Sequence, residues 1–566
     1  MSASRFQHDL VIRNVLVVDG SGAPAQRGAV AVDGDRITQL GGDPGPGRED
    51  IDGDGLALMP GIIDGHTHYD AQLTWDAFAD PSPQVGVTTV VIGNCGFTIA
   101  PCRPEDRDLT MRNLTHVEGM SLDALRAGIR WNFESIPQYM DQLAEAGLGP
   151  NVAAFAGHSA IRTYVMRDDA PRRVATDEEI ARMADIVRDA MAHGALGFAS
   201  STNEPHNGEN GIPMPSRLAD EREMRALVNA MGESGRGLFM LTKGSRTSVP
   251  FLESLAAGSG RPVLVAAMFH SNTAPDNVFR EIAQMDEACA RGHRVYPQVS
   301  CCPLTMDFTM HSPYVFEGIE AWYPAMAAHG GDALRAVYAD PAFRNEVKAA
   351  LELLRGKRLF NSEWHLVQVV ETARPEHRHY EGRTVESLAA AAGQHPLDWL
   401  LDLALAEDLD TLFTAQLRNN DTEGVARLIN HPAAHVSLSD AGAHLTFLCD
   451  AAFGLHLLGH WSRDLGAISL PGAVHKLTGH PAKLFGIRDR GVLRAGAFAD
   501  LLLFDPATVG RGPNRRAYDL PAGAPRLTAE PRGVHGVWVN GRRVADRAGA
   551  LADAPRAGRM LREFAA

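Results

Sequence analysis

Apolar and polar positions alternate along this chain in two rhythms, one of period two near both ends and one of helix followed by strand between them. Near the start, Leu10-Val11-Ile12, Val15 to Val18 and Ala29 to Val32 read as strands, with a turn at Asp33-Gly34 before Arg36-Ile37-Thr38. The same texture returns after about residue 490, in Leu501 to Phe504 and in Val537-Trp538-Val539 with its Asn540-Gly541 turn. The two ends therefore predict one discontinuous β-domain. Between them, Thr176 and Glu179 carry capping-box spacing, Ile180, Met183, Ala184, Val187 and Met191 recur at helical intervals, Gly194 stops the helix, and Leu196 to Ser200 follows as a strand. Strand-like runs recur at Ile62 to His68, Thr88 to Ile92, Val152 to Ala156, Leu196 to Ser200, Leu238 to Thr242, Val263 to Met268, Val295 to Val299 and Val436 to Asp440.

Strands alternating with helices predict an α/β architecture: a (β/α)8 TIM-like barrel, with a small discontinuous β-sandwich domain built from both termini. The boundaries read as 1–58 and 490–566 for the small domain and 59–489 for the barrel, with a mainly helical insertion at about 302–430. With 566 residues, 45% of them hydrophobic and 22% charged, the chain has enough apolar surface for a large core. A net charge of −15, from 69 acidic and 54 basic side chains, opposes polyphosphate and anionic lipid surfaces, so neither a nucleic-acid nor a membrane partner is expected. Six irregularly spaced cysteines without a CxxC pair predict reduced thiols, and no export signal or long apolar span is read, so the expected location is the cytoplasm. A homo-oligomer acting on a small molecule is the expected assembly.

Chemistry gathers where barrel strands end. His66 and His68, two residues apart, point the same way from an extended chain. Cys95 in Asn-Cys-Gly, Lys243 in Thr-Lys-Gly, His270 in Phe-His and Asp440 in Ser-Asp-Ala end other strands. Such a mixture of imidazole, thiolate and carboxylate donors on one rim suits zinc or a similar divalent ion. For Cys95 the alternative is an ordinary buried thiol, and for His158 a histidine satisfying the backbone. His206, His444 and His456 read as structural or peripheral, and Asp500 and Asp505 as turn residues of the small domain.

The segments Met59-Pro60-Gly61-Ile62-Ile63-Asp64-Gly65-His66-Thr67-His68-Tyr69-Asp70, Gly93-Asn94-Cys95-Gly96-Phe97, Gly157-His158-Ser159, Gly194 to Phe198, His480-Pro481-Ala482 and Asp489 to Leu493 together resemble the amidohydrolase superfamily. Within it, nearly the whole chain is similar to the N-acyl-D-amino-acid deacylase (D-aminoacylase) family. The resemblance implies that His66 and His68 hold one metal position, that Cys95 and His270 belong to a neighbouring one, and that Asp440 is the catalytic acid/base. It also implies a cofactor of one or two divalent ions, zinc by default, with cobalt or manganese as substitutes. The chain departs from the family where Thr242-Lys243-Gly244-Ser245 replaces a Thr-His-x-Arg motif. An ammonium cannot ligate a cation. Lys243 is therefore a carboxylated ligand, or one metal suffices, or the lysine is a point charge balancing Asp440 or substrate; the first is favoured.

The expected activity is metal-dependent hydrolysis of a linear amide, an N-acyl amino acid or a related N-acyl compound, with Asp440 moving the proton. A deaminase or cyclic-amide hydrolase on the same barrel is the second reading, and a metal-free binding protein on an enzyme scaffold the third. Expected substrate contacts are His158, Arg246 and Asn272. Because Ser245 and Asn272 stand where the family pattern has cations, neutral amides with a hydrophobic or aromatic group are the expected preference, with Phe308, Tyr314, Phe316, Trp322 and Tyr323 either packing the insertion or forming a lid.

Overall fold

The computed structural model describes residues 6–208, 211–311, 313–328, 330–353, 358–446 and 448–566. The chain divides into two compact units, one of Met1–Met268, Phe279–Cys301 and Ala426–Ala566, the other of Phe269–Val278 and Cys302–Val425. The first contains an eight-stranded sheet: β1 (Ile62–Asp64), β2 (Val87–Ile92), β3 (Asn151–Gly157), β4 (Gly197–Ser201), β5 (Leu238–Thr242), β6 (Val263–Ala266), β7 (Val295–Val299) and β8 (His435–Val436). They neighbour one another in chain order, every pair parallel. Beyond the ends of β1 and β8, Thr67 and Ala441 form a parallel bridge, so the sheet curls until its two edges meet. Each of the eight sequence runs overlaps one of these strands, the last only at Val436.

Helices cover the sheet for the reasons the sequence suggests. Over Asp177–Ala192, the Thr176 hydroxyl accepts from Glu179 N–H while the Glu179 carboxylate accepts from Thr176 N–H, and Ile180, Met183, Val187 and Met191 are buried. Such a cap satisfies donors that the first turn leaves unpaired, an effect of about 1 kcal/mol. Strands β2 and β3 are buried at every position, as expected of parallel strands covered on both faces.

Both termini build a second, nine-stranded sheet in the same unit. Leu501–Phe504 from the C-terminal part pairs antiparallel with Ala57–Pro60 from the N-terminal part. Ile12, Val15, Val30, Ile37, Leu58, Leu501, Leu503 and Trp538 form one apolar cluster there. Asp500 is only 4% exposed and is more than a turn residue. Its carboxylate accepts from Asn151 Nδ2 at 3.1 Å, on β3, and from Asn540 N–H at 2.8 Å, and it pairs with buried Arg490. One carboxylate thus ties the parallel sheet to the terminal one.

The second unit is partly helical, but it also holds a three-stranded antiparallel sheet of Leu304–Phe308, Leu412–Arg418 and Val367–Glu371. Phe308, Phe316 and Trp322 are buried in its aromatic core, where Phe316 and Trp322 rings lie 4.8 Å apart, whereas Tyr323 is 66% exposed. Packing therefore accounts for three of the aromatic residues considered for a lid. No helix among the described residues is long and apolar enough to cross a membrane.

Replacing Asp500 by Ala leaves Arg490 buried and unpaired, so denaturant unfolding is expected to show a loss of about 3–5 kcal/mol. A loss under 1 kcal/mol contradicts the linking role of this carboxylate.

Candidate metal centre

Just beyond β1 the chain stays extended through Thr67, whose N–H donates to Val91 O at 3.1 Å, while His68 N–H donates to Ala441 O at 2.8 Å. Pinned between β2 and the segment after β8, His66 and His68 project to one side. After β2, Gly93 takes φ +80° and Asn94-Cys95-Gly96 forms a tight turn in which Cys95 itself adopts φ 57°. A non-glycine residue in this region is strained by about 1 kcal/mol or more, so the surrounding packing must hold it. Asn94 does part of this, donating through Nδ2 to Val91 O at 2.8 Å and to Thr67 O at 3.3 Å.

Among the described residues, His66, His68 and Cys95 bring ligand atoms within 4.8 Å of one another, all buried. Cys95 Sγ lies 3.5 Å from His66 Nε2 and 4.0 Å from His68 Nε2. Asp440 Oδ1 lies 3.2 Å from His66 Nε2 and 3.6 Å from His68 Nε2. Metal–sulfur and metal–nitrogen bond lengths at tetrahedral angles give donor separations of about 3.5 Å for S···N and about 3.3 Å for O···N. The separations to His66 match these values and those to His68 run longer, so His66, His68 and Cys95, with Asp440 beside both imidazoles, fit a divalent cation.

The outer ring nitrogens are held as a ligand role needs. His66 Nδ1 is 2.9 Å from Gln298 Oε1 on β7, and His68 Nδ1 is 3.1 Å from Glu118 Oε1, a carboxylate only 2% exposed. The Gln298 oxygen hydrogen-bonded at His66 Nδ1 and the Glu118 carboxylate in ion-pair range of His68 Nδ1 both favour the tautomer that turns a lone pair at Nε2 inward. Asp64 anchors the segment bearing Asp440: it accepts from the hydroxyls of Ser437 and Ser439, and burial pushes its carboxyl up to about 6. That segment is itself strained, with Leu438 at φ 73° and Asp440 at φ 48°.

Charge is balanced within the cluster. Burial alone would depress the His66 imidazole, but the negative charges of Cys95 and Asp440 raise it, and Glu118 does the same for His68. Conversely, burial would raise Cys95 and Asp440, and the imidazoles outweigh it to hold both below their usual ranges. Thiolate and carboxylate are the forms that bind a metal.

The other sequence candidates lie differently. Lys243 is the next residue after Thr242, whose Oγ1 is 3.0 Å from Cys95 Sγ. Strand alternation sends Lys243 to the opposite face, where Nζ donates to Glu281 Oε1 at 2.8 Å. His158 is fully buried, with Nδ1 2.8 Å from Ser200 Oγ and Nε2 2.8 Å from Glu223 Oε1, so both nitrogens are engaged by protein. Arg246 is exposed and donates to Ala219 O at 3.1 Å. His270 belongs to the second unit, where its N–H donates to Asn419 Oδ1 at 2.8 Å, and Asn272 there hydrogen-bonds Glu363. His206 packs its ring 5.0 Å from Phe97, itself 6.4 Å from the His68 ring. Gln298 stands near the carboxyl end of a strand already legible in the sequence and was findable by position; Glu118, outside the eight strand runs, carried no such signal.

The amidohydrolase family pattern matches residues 49–545, most of the chain. This protein belongs to the amidohydrolase family. It is a hydrolase acting on carbon–nitrogen bonds other than peptide bonds. The D-aminoacylase of Alcaligenes xylosoxydans xylosoxydans is 29% identical over 549 residues, covering 96% of this chain and 95% of that protein. A solved D-aminoacylase variant in complex with copper chloride is 25% identical with a TM-score of 0.66, covering 98% of this amidohydrolase and 100% of the variant. The N-acyl-D-glutamate deacylase of Bordetella bronchiseptica, solved with zinc and a phosphonate inhibitor, shares the fold with a TM-score of 0.67 at 24% identity, covering 98% and 100% of the two chains.

Replacing Glu118 by Gln removes the charge behind His68 while keeping its shape. Zinc affinity measured by chelator competition is expected to fall about 10-fold or more, with little change in thermal midpoint. Wild-type affinity in this variant contradicts the orienting role.

Proposed function

We propose that this amidohydrolase carries out metal-dependent hydrolysis of a linear amide, an N-acyl amino acid or a related N-acyl compound, with His66, His68, Cys95 and Asp440 holding a divalent ion, zinc by default. The observation that supports this reading most is the close approach of the His66, His68 and Cys95 ligand atoms at one buried spot, with Asp440 Oδ1 3.2 Å from His66 Nε2. Whole-length similarity to D-aminoacylase supports the substrate class over a deaminase or cyclic-amide hydrolase. The donor set, complete with its supporting acceptors, weighs against a metal-free binding protein.

A divalent ion bound there supplies Lewis acidity toward the scissile carbonyl and a water of lowered pKa. The chain supplies the rest. Asp440 is the acid/base: its carboxylate takes a proton and returns it to the amine nitrogen, which otherwise would have to leave as an anion. Gln298 and Glu118 keep the imidazoles oriented through the cycle, and Ser437 and Ser439, gripped by Asp64, keep the Asp440 segment from following its strained backbone away. Three residues beyond Thr242 at the end of β5, Ser245 donates through both N–H and hydroxyl to Glu204, so the uncharged position faces a carboxylate already in place. This supports acceptance of amides that lack a free α-carboxylate.

Asp440→Asn is expected to keep the fold and lose most turnover on a panel of N-acyl compounds offered to zinc-, cobalt- and manganese-loaded enzyme, with neutral amides turned over at least as well as matched free acids. Near-normal kcat in Asp440→Asn refutes the acid/base role. A strong preference for free acids, lost in Arg246→Ala, refutes the neutral-substrate reading.

The Glu281 contact also bears on Lys243. An ammonium with a carboxylate 2.8 Å away on the outer face has its charge matched there, which favours an uncarboxylated lysine and a centre completed without it. Protein equilibrated with carbon-13 bicarbonate is expected to show no lysine carbamate resonance, and Lys243→Met to retain the metal. A carbamate signal lost in that variant overturns this assignment.

A further inference from the structure

A second group of buried polar side chains lies one layer behind Cys95 and takes no part in the chemistry above. His158 opens the helix His158–Met166 directly after β3, and its ring bridges two elements, reaching Ser200 Oγ on β4 and Glu223 Oε1 on the helix Glu221–Gly232, each at 2.8 Å. Glu223 also pairs with Arg162, four residues on from His158, and Arg162 Nη2 donates to Ala170 O at 3.1 Å and Arg173 O at 2.8 Å. His158, Arg162, Ser200 and Glu223 are all 0% exposed. A buried ion pair with hydrogen bonds on both sides is not required to fill a core, because apolar residues of the same volume serve stability as well or better.

What this network touches gives it a purpose. The turn that carries Cys95 is pressed against the same corner: a methyl group at Gly96 would stand 2.7 Å from Ala199 O, 3.0 Å from His158 N and 3.1 Å from Ser200 Cα. Backbone packed this closely moves as one piece. The Cys95 turn holds a strained φ of 57°, and the hydrogen bonds of Asn94 fix its side toward β1 and β2. The opposite side rests on the corner of β3 and β4 that His158 pins.

Building on the reading of Cys95 as a metal ligand, we propose that His158, Glu223 and Arg162, acting through Ser200, are positioning residues for the Cys95 thiolate. They lock the end of β3 to β4, so the strained turn has a fixed surface beneath it and Sγ stays at ligand distance from the imidazoles. His158 in this role reaches the chemistry only through the backbone of Gly96, which accounts for its complete burial.

Cobalt(II) added to the metal-free full-length protein tests this, because a thiolate ligand gives a near-ultraviolet charge-transfer band. Glu223→Gln and His158→Phe are expected to weaken cobalt binding about 10-fold in chelator competition and to diminish that band. Asp500→Asn, which disturbs a buried ion pair at the opposite end of β3 from this corner, serves as the comparator and is expected to lower the thermal midpoint while leaving band and affinity at wild-type values. Should either network variant fail to fold, Ser200→Ala removes a single hydroxyl from the same corner and decides the matter. The proposal is overturned if the folded variants keep the wild-type band and affinity, or if Asp500→Asn loses them equally, which would make the effect one of general stability. Absence of the band in the wild type instead removes Cys95 as a ligand, and the positioning role with it.

Discussion

Two imidazoles, a thiol and a carboxylate crowd one buried spot, and most of the surrounding structure answers the problem that this creates. Desolvating any one of these groups as an ion is unfavourable by several kcal/mol, so they coexist only because opposite charges meet at 3.2–4.0 Å. The same closeness gathers the donor atoms that a divalent ion would use. Burial therefore serves binding twice, by strengthening each donor's pull on a cation and by making the cation-free cluster depend on internal pairing.

Three separate devices keep the donors from relaxing apart. Gln298 and Glu118 act on the imidazoles from behind, Asp64 acts through two serine hydroxyls on the Asp440 segment, and the Cys95 turn is held by Asn94 on one side and by the packed corner of β3 and β4 on the other. Cys95 and Asp440 both occupy left-handed backbone conformations. Strain of this kind persists only where neighbours over-determine the chain. The density of buried hydrogen bonds around these two residues is the physical counterpart of their strain.

Charge is also organised away from the cluster. Lys243 follows Thr242, which faces Cys95, yet its ammonium is matched to Glu281 on the other side of the strand. Arg490 and Asp500 form a comparable pair where the terminal sheet joins β3 through Asn151. A conventional pairing thus stabilises the scaffold, while the unusual cluster of donors remains on the inner face.

The sequence by itself determined many of the elements and which residue types stand where strands end. Apolar periodicity located seven of the eight parallel strands and touched the eighth at Val436, capping-box spacing located the start of the helix at Asp177, and the two-residue interval of His66 and His68 predicted their common direction. These properties are local, depending on the two-residue repeat of a strand or the 3.6-residue repeat of a helix. Only tertiary structure decided which strand-end residues meet. Lys243 was drawn toward the metal by its position at a strand end, but a shift of one residue along a strand reverses the face, and Glu281, 38 positions away, supplies its partner. Glu118 and Gln298 reach the two histidines from 50 and 232 residues away in sequence, and no local pattern encodes such a pairing. Asp500 looked like a turn residue because its hydrogen-bond partners, Asn151 and Asn540, lie 349 and 40 residues away in sequence. Long-range closure of the sheet, with Thr67 against Ala441, brings Asp440 to the histidines, and that closure belongs to the fold as a whole.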